Sequence, residues 1–266
     1  MGIGVTQNDM FGFDRFGIEK APEINADLIV IPVSGGKDSQ ACLKLAVATG
    51  KKVVGMFSDT KFEHPLTYQH IDRMERMYGV EIIRVNEGSS VEQQILRWGR
   101  FPSQRERFCT KHLKIRPSKR WYEKFGLKHG PFEVWVGVRK SESVARKKRY
   151  AGHVGEELVA PNDFMDDYPK RMAKNGIMFR LPIIDWSEDD VFEYLAGEEN
   201  PLYSHGFNRV GCFPCQAAGD DQMIKAFTHD EFGRNQWRKV QFLQDKTGAK
   251  ALRGDVGGNG CSICSI

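Results

Sequence analysis

The sequence predicts an α/β protein built on a doubly wound parallel sheet, followed by an irregular, cysteine-containing C-terminal region. Short apolar runs alternate with amphipathic helical segments through the first half of the chain, a pattern typical of parallel strands joined by helices. Polar segments stand directly after three of these runs, where the carboxyl ends of parallel strands meet and ligands bind. After Gly197 the alternation stops, and glycine and cysteine become frequent.

The spacing of apolar residues assigns the elements in order along the chain. Strands are expected over residues 27–33, 52–58, 81–85 and 132–138, with a further edge strand over residues 179–184. Helices are expected over residues 38–49, 65–78 and 91–98, from Ser187 onward, and between residues 221 and 247 with an interruption near Gly233. These assignments divide the chain into an N-terminal arm (1–25), a nucleotide-binding α/β domain (26–199) and a C-terminal cysteine-rich region (200–266).

Composition narrows the classes of function. A net charge of +4 and a pI near 8.7 suit an enzyme with anionic substrates and permit contact with nucleic acid without requiring it. Basic residues concentrate in two clusters, over residues 97–120 and 139–149. No apolar run approaches the ~18 residues needed to span a bilayer, and the N-terminus lacks the apolar core of a signal peptide. We therefore expect a cytoplasmic protein with no membrane partner.

The first apolar run leads directly into the segment SGGKDS, residues Ser34–Ser39. A glycine-rich turn between a strand and a helix directs several backbone N–H groups and a helix N-terminus at one anion. Lys37 adds a cation, and Asp38 adds a carboxylate that can hold Mg²⁺ between phosphates. The spacing of a Walker loop is absent. The residues expected to bind the phosphate are Ser34, Gly35, Gly36 and Ser39.

Polar residues also follow two other strands. Asp59 ends the second strand, where it can bind a metal or a ribose hydroxyl, although a strand-end cap is an alternative. Arg139 and Lys140 follow the fourth strand, and a guanidinium there suits the oxygens of phosphate or sulfate. An ordinary basic helix start is the alternative for this pair.

Six cysteines in a chain expected in the cytosol favour metal binding or redox chemistry over disulfides. Cys212–Cys215 and Cys261–Cys264 are C-x-x-C pairs, and Cys109 stands in a strongly basic segment. These thiols can hold a zinc ion, an iron–sulfur cluster, or act as redox thiols on a mobile tail. The neighbouring cations predict lowered thiol pKa values. Cys42, on the apolar side of the first helix, is expected to pack in the core.

Six segments in this order resemble the phosphoadenosine phosphosulfate (PAPS) reductase family of the PP-loop ATP pyrophosphatase superfamily, near the DNA phosphorothioation sulfurtransferases. The segments are SGGKDS from Ser34, SDTKFEHPLTY from Ser58, CTKHLKIRP from Cys109, GVRKSES from Gly137, LPIIDWSEDDVFEYL from Leu181 and NPLYSHGFNRVGCFPC from Asn200. The resemblance implies the adenine nucleotide alpha hydrolase-like fold. It covers most of residues 27–216.

The resemblance also implies one of two reactions, either sulfur transfer driven by ATP or reduction of an adenylyl sulfate. An intact Lys37–Asp38 core implies ATP as substrate, cleaved to an adenylate and pyrophosphate and coupled to sulfur transfer. Catalysis is then expected from Lys37, Asp38 and Cys109. A 4Fe–4S cluster is expected on Cys109, Cys212 and Cys215 with Cys261 or Cys264, and a sulfur-donor protein as partner.

The alternatives remain open at this point. One is a PAPS reductase that releases sulfite with thioredoxin, although the tail GCSIC lacks the reductase motif E-C-G-[IL]-H. Another is a nucleotide- or nucleic-acid-binding module in which the cysteines hold structural Zn²⁺.

Overall fold

A computed structural model of the chain describes residues 27–103, 105–216 and 218–252. Its centre is a six-stranded sheet in the order β3-β2-β1-β4-β6-β5. Five strands are parallel, and β5 pairs antiparallel to β6 at the edge. The strands are β1 (Leu28–Val33), β2 (Lys52–Ser58), β3 (Glu81–Val85), β4 (Phe132–Trp135), β5 (Leu158–Val159) and β6 (Ile177–Arg180). The predicted α/β fold class is confirmed.

Eleven α-helices accompany the sheet in the described residues. They are α1 (Lys37–Ala48), α2 (Pro65–Tyr78), α3 (Val91–Trp98), α4 (Phe108–Thr110), α5 (Arg116–His129), α6 (Val144–Arg149), α7 (Pro161–Phe164), α8 (Arg171–Lys174), α9 (Glu188–Leu195), α10 (Asp220–His229) and α11 (Glu231–Thr247). None of them is long and apolar enough to cross a membrane.

The core lies on both faces of the sheet. All six residues of β1 are buried, and they alternate between two hydrophobic clusters. Leu28 and Val30 belong to the cluster beside α5, whereas Ile29 and Ile31 belong to the cluster beneath α1. A strand buried on both faces must be apolar throughout. That is why the first run is apolar without alternation, and it places the end of β1 at the centre of the molecule.

The predicted edge strand over residues 179–184 is wrong in both position and role. The strand is β6, Ile177–Arg180, and it lies inside the sheet, parallel to β4, with the short β5 outside it. Residues after Arg180 are apolar because they are buried in a turn, in which the Ile184 amide donates to the Leu181 carbonyl. Burial, and not strand pairing, accounts for the apolar run.

The predicted interruption near Gly233 lies instead at Asp230, between α10 and α11. Asp230 caps α11, because its Oδ1 accepts a hydrogen bond from the Gly233 amide at 2.7 Å. Gly233 has a different role, since a Cβ there would lie 2.0 Å from the Ala226 carbonyl oxygen. It allows the two helices to cross closely.

A long helical segment before β4 was not predicted. The helical turn α4 continues through a π-helical turn, Lys111–Ile115, into α5. A π turn accommodates an extra residue and therefore shifts the 3.6-residue period that identifies a helix in sequence. This segment carries Cys109 and packs near the C-terminal helices.

Candidate functional site

The segment Ser34–Ser39 forms a tight turn at the carboxyl end of β1. The Ser39 hydroxyl donates to the Gly36 carbonyl at 2.9 Å and accepts from the Ser34 amide at 3.1 Å. Gly35 has φ of +76°, and a Cβ there would lie 2.6 Å from Thr67 Cγ2. Glycine is therefore required both for the left-handed backbone and for the close approach of α2.

The turn presents an uncapped helix N-terminus. Gly36 is the N-cap of α1, and it has no side chain that could accept a hydrogen bond from the first-turn amides of Asp38 and Ser39. The Lys37 amide donates to the Tyr203 hydroxyl at 3.0 Å. Unpaired amides at a helix N-terminus form a binding site for an anion. The sequence predicted a glycine-rich turn before a helix here, and phosphate binding by Ser34, Gly35, Gly36 and Ser39 stays a prediction.

The ammonium of Lys37 is enclosed. Its side chain is 5% exposed, and Nζ lies 2.8 Å from Glu188 Oε1. The rings of Phe192 and Tyr203 lie 5.4 and 5.1 Å from the same nitrogen. The N-terminal turn of α9 and the turn that begins at Asn200 therefore close over the lysine.

Arg139 reaches the same turn from the end of β4. Its Nε donates to Asp38 Oδ1 at 2.5 Å, and its side chain is 4% exposed. Gly137 permits this approach, because a Cβ there would lie 2.6 Å from the Asp38 backbone. Lys140 is not brought into this group. Its ammonium contacts Asp185 and the His153 carbonyl.

Asp59 lies buried at the end of β2. Burial would raise the pKa of its carboxyl, but hydrogen bonds from Lys61 and Tyr68 and the Lys61 charge together lower that pKa below its ordinary value. Lys61 holds its backbone in the left-handed region, at φ of +60°. Asp59 is therefore an ionised carboxylate at the end of β2, with its two oxygens already hydrogen-bonded.

Three cysteines line one pocket of about 80 Å³. Cys109 comes from α4, whereas Cys212 and Cys215 come from the turn after residue 210. Thr60, the residue after Asp59, and Lys114 of the π turn also face this pocket. The structure thus brings Cys109, Cys212 and Cys215 to one pocket, and their role as ligands stays a prediction. Cys261 and Cys264 lie outside the described residues.

The expected lowering of thiol pKa is wrong for Cys212. Burial raises the pKa of this thiol to about 12, and the Lys114 charge only partly opposes that effect. The nearby carboxylate of Glu63, itself buried with a raised pKa, acts in the same direction as burial. Thr60 Oγ1 lies 3.3 Å from Cys212 Sγ and donates to Glu63 at 2.6 Å. Cys42 is fully buried in the core, as predicted.

The separation of the cysteine sulfurs determines whether they can share one zinc ion. Two thiolates on one Zn²⁺ lie at most ~4.6 Å apart, given Zn–S bonds near 2.3 Å. Within the described segments, no trio of cysteines places its sulfurs within 4.8 Å of one another, whereas His64, His229 and Asp230 bring their ligand atoms that close.

That histidine cluster has a structural explanation. His64 caps α2, because its Nδ1 accepts from the Leu66 amide at 3.1 Å. Its Nε2 lies 2.8 Å from Asp230 Oδ2, so both ring nitrogens are engaged. A metal-bound histidine normally donates from its other nitrogen, which here is an acceptor. The cluster therefore ties the start of α2 to the α10–α11 junction.

Several side chains of the site were not singled out from the sequence. Glu188 and Tyr203 contact the loop, and Asn200, fully buried, donates to the Gly35 carbonyl at 3.2 Å. Glu63 lies beside Cys212. Each belongs to a segment that carried the family resemblance, but nothing local in the sequence shows which side chain points towards the loop or the pocket.

Comparison with known proteins identifies the family of this chain. The family model of the phosphoadenosine phosphosulfate reductase domain matches residues 28–218. An uncharacterized protein of Methanocaldococcus jannaschii, MJ0066, is 32% identical over 201 residues, which is 74% of this chain but only 38% of MJ0066. An uncharacterized 37.8 kDa protein of Escherichia phage 186 is 28% identical over 271 residues, covering 79% of this chain and 74% of its own.

Two proteins with named activities are also similar to this chain, at lower identity. Adenosine 5'-phosphosulfate reductase of Oceanobacillus iheyensis is 26% identical over 214 residues, covering 77% of this chain and 78% of its own. The crystal structure of a PAPS reductase from Candida auris, as a phosphate complex, has a TM-score of 0.48 and 19% identity, over 70% of this chain and 81% of that one. The family match spans well over half of the sequence, and this chain therefore belongs to the phosphoadenosine phosphosulfate reductase domain family.

Proposed function

We propose that this protein cleaves ATP between the α and β phosphates, as an acceptor oxygen attacks the α phosphate and pyrophosphate leaves, and that a sulfur nucleophile then displaces AMP from the adenylylated acceptor. One observation carries the proposal, namely the intact Lys37–Asp38 pair at the uncapped N-terminus of α1. An adenylyl sulfate has no β-γ pyrophosphate for such a pair to hold, whereas ATP has one.

Each loop group has a role in this reaction. The amides of the first turn of α1 bind the phosphate oxygens, and Lys37 stabilises negative charge that develops on the pyrophosphate. Arg139 holds one oxygen of Asp38, so that Asp38 Oδ2, 3.8 Å from the Lys37 ammonium, remains for Mg²⁺. A Mg²⁺ ion there would screen the charge of the leaving group.

The cysteine pocket is the proposed sulfur site. Thr60 follows the end of β2 and lines the pocket, and β2 pairs in parallel with β1, which leads into the turn Ser34–Ser39, so the two sites lie at the ends of neighbouring strands. Cys109, Cys212 and Cys215 are three of the four ligands that a 4Fe–4S cluster needs. The fourth would come from Cys261 or Cys264. Such a cluster, when bound, would accept or deliver sulfur, and the pocket residues would exclude water from it.

A reductase is the second candidate, because relatives such as that of Oceanobacillus iheyensis carry the name adenosine 5'-phosphosulfate reductase. In that reaction a cysteine thiolate attacks the sulfur of the substrate, the nucleotide leaves, and thioredoxin reduces the thiosulfonate to release sulfite. Cys261 or Cys264 would be the nucleophile.

Two assays on protein purified without oxygen separate the candidates. Incubation with Mg²⁺ and ATP should release pyrophosphate and AMP, with turnover that rises when a sulfur donor and acceptor are added. Incubation with an adenylyl sulfate and reduced thioredoxin should release no sulfite. Sulfite release without ATP cleavage would overturn the proposal in favour of the reductase. Tight nucleotide binding without either product would favour a binding module.

Metal content provides the second measurement on the same preparation. Stoichiometric iron and sulfide would support the cluster. Zinc without iron would make the cysteines structural, in disagreement with the separation of their sulfurs in the described part of the chain.

A further inference from the structure

An exposed tryptophan lies beside the cysteine pocket. Trp98, in the last turn of α3, is 43% exposed, although large aromatic side chains are usually covered. Its ring stacks on Phe108 with centroids 5.4 Å apart and an interplanar angle of 22°. Its Nε1 donates to Gln94 Oε1 at 3.3 Å. The indole is therefore held in one orientation while much of its surface faces solvent.

Cations surround this indole. The Arg100 guanidinium lies 6.0 Å from the ring centroid, and the Lys111 side chain is 66% exposed. Arg97 and Arg116 are exposed and form no ion pair with any residue that the structure describes. Two carboxylates offset part of the charge, Glu106 on Arg100 and Asp167 on Lys111.

The pKa of His112, which lies within this surface, is affected by the same positive charges. Burial, together with the charges of Arg116, Arg97 and Lys111, lowers the pKa of His112, whose ring lies 5.8 Å from that of Trp98.

The surface adjoins the proposed sulfur site. Thr110 lines both the cysteine pocket and the basic pocket around Trp98. Phe108, on which Trp98 stacks, is the residue before Cys109. A molecule seated on Trp98 is therefore next to the position from which sulfur would be transferred.

We propose that this surface binds a single-stranded or unpaired segment of nucleic acid as the sulfur acceptor, with one base stacked on Trp98 and phosphates held by Arg97, Arg100, Lys111 and Arg116. Alternating bases and phosphates match a planar ring surrounded by separated cations. An acidic protein segment could pair with the cations, but its chain does not alternate a planar base with a charged phosphate at every residue as a nucleic acid strand does. This inference rests on the proposed function, because it names the acceptor of the same reaction.

The test is direct binding, measured without ATP. A fluorescein-labelled single strand of about 12 nucleotides, as DNA and as RNA, is titrated with the full chain and followed by anisotropy. We expect Trp98→Ala to weaken binding about tenfold and Trp98→Phe to restore most of it. In the double variant Arg97→Ala with Arg116→Ala, the negative slope of log affinity against log salt should become shallower by about 1.4.

The second basic cluster supplies the matched control. Lys147→Ala with Lys148→Ala removes two exposed cations of α6 that do not line the pocket around Trp98, and should change affinity less than about twofold. An equal loss in this control and in Trp98→Ala would reduce the binding to non-specific attraction and overturn the proposal. So would polyglutamate that competes as well as the oligonucleotide, since the surface would then suit an acidic protein.

The two proposals fail separately. Pyrophosphate release without oligonucleotide binding would overturn the proposal that nucleic acid is the acceptor, and would leave the proposal of ATP cleavage standing. Oligonucleotide binding that depends on Trp98, without pyrophosphate release, would retain the surface and overturn the adenylating function. Thermal unfolding of each variant shows whether a lost signal reflects lost structure.

Discussion

The segment Ser34–Ser39 (the loop) lies at the carboxyl end of β1 and the cysteine pocket lies beside the end of β2, but the two depend on different physical effects. The loop is made of consecutive residues, and its binding groups are backbone amides and ion-paired side chains. The pocket is assembled from α4, the π turn and the turn after residue 210. In the loop, charge is kept near neutral by carboxylates. In the pocket, burial keeps Cys212 protonated despite Lys114.

This difference teaches that charge counted along a sequence does not set the pKa of a side chain. Basic residues around Cys109 indicate thiolates, yet desolvation outweighs the Lys114 charge at Cys212. The same balance has the opposite result at Asp59, where hydrogen bonds and the Lys61 charge outweigh burial. Local contacts decide the sign in each case.

The largest expected effect concerns the reactivity of Cys212 in metal-free protein. With a pKa near 12 in place of the ordinary 9.0, the thiolate fraction near neutral pH falls about a thousandfold. Iodoacetamide labelling followed by mass spectrometry should therefore be very slow, and its rate should keep rising above about pH 9.

Two variants test the cause. Glu63→Gln removes a negative charge that raises the pKa of Cys212 and should speed labelling, whereas Lys114→Met removes a positive charge that lowers the pKa and should slow it. A labelling rate for Cys212 that levels off by about pH 9 would contradict the effect of burial.

The next effect concerns the loop lysine. Lys37→Ala should lower the rate of pyrophosphate release about 10²–10³-fold, because a preorganised group at the developing charge is lost. Lys44→Ala is the control, since Lys44 lies on the same helix but pairs with Glu198 away from the loop. Similar losses in both variants would show that helix stability, and not transition-state charge, explains the result.

A third prediction concerns the close approach at Gly35. Gly35→Ala should lower the free energy of unfolding by about 2–4 kcal/mol, through a left-handed backbone and overlap with Thr67 Cγ2. Gly50→Ala, with φ of +71° and no atom within 4 Å of its Cβ, should lose only about 1–2 kcal/mol. Denaturant unfolding measures both.

Removing the overlapping methyl sharpens that measurement. Thr67→Ser combined with Gly35→Ala should recover the part of the loss that comes from overlap. If the double variant is no more stable than Gly35→Ala, overlap with Thr67 of α2 does not contribute to the loss of stability in Gly35→Ala.

The smallest expected effect concerns Glu188, which holds the Lys37 ammonium at 2.8 Å. A nucleotide phosphate must compete with this carboxylate, so Glu188→Gln should tighten ATP binding by about 2–5-fold, as expected for an ion pair with one exposed partner. Calorimetry with Asp189→Asn as the neighbouring control measures the change. Weaker binding in Glu188→Gln would show instead that Glu188 helps to hold the nucleotide or its metal.

Prediction from sequence succeeded where neighbouring residues determine structure. The first three strands and the helices α1 to α3 begin and end within about two residues of the predicted bounds, since capping and apolar spacing are local signals. It failed where contacts between distant segments decide. The run after Arg180 is apolar because it is buried, and the π turn obscures the period of the helix that carries Cys109.

The sequence by itself determined the first three strands, the glycine-rich turn after β1 and the resemblance of its motifs, because each is encoded in a contiguous stretch. The tertiary structure alone decided that Glu188 and Tyr203 enclose Lys37, that Lys140 pairs away from the loop, and that Trp98 lies beside the cysteine pocket. These properties depend on distance and desolvation between segments far apart in the chain. No local pattern contains that information.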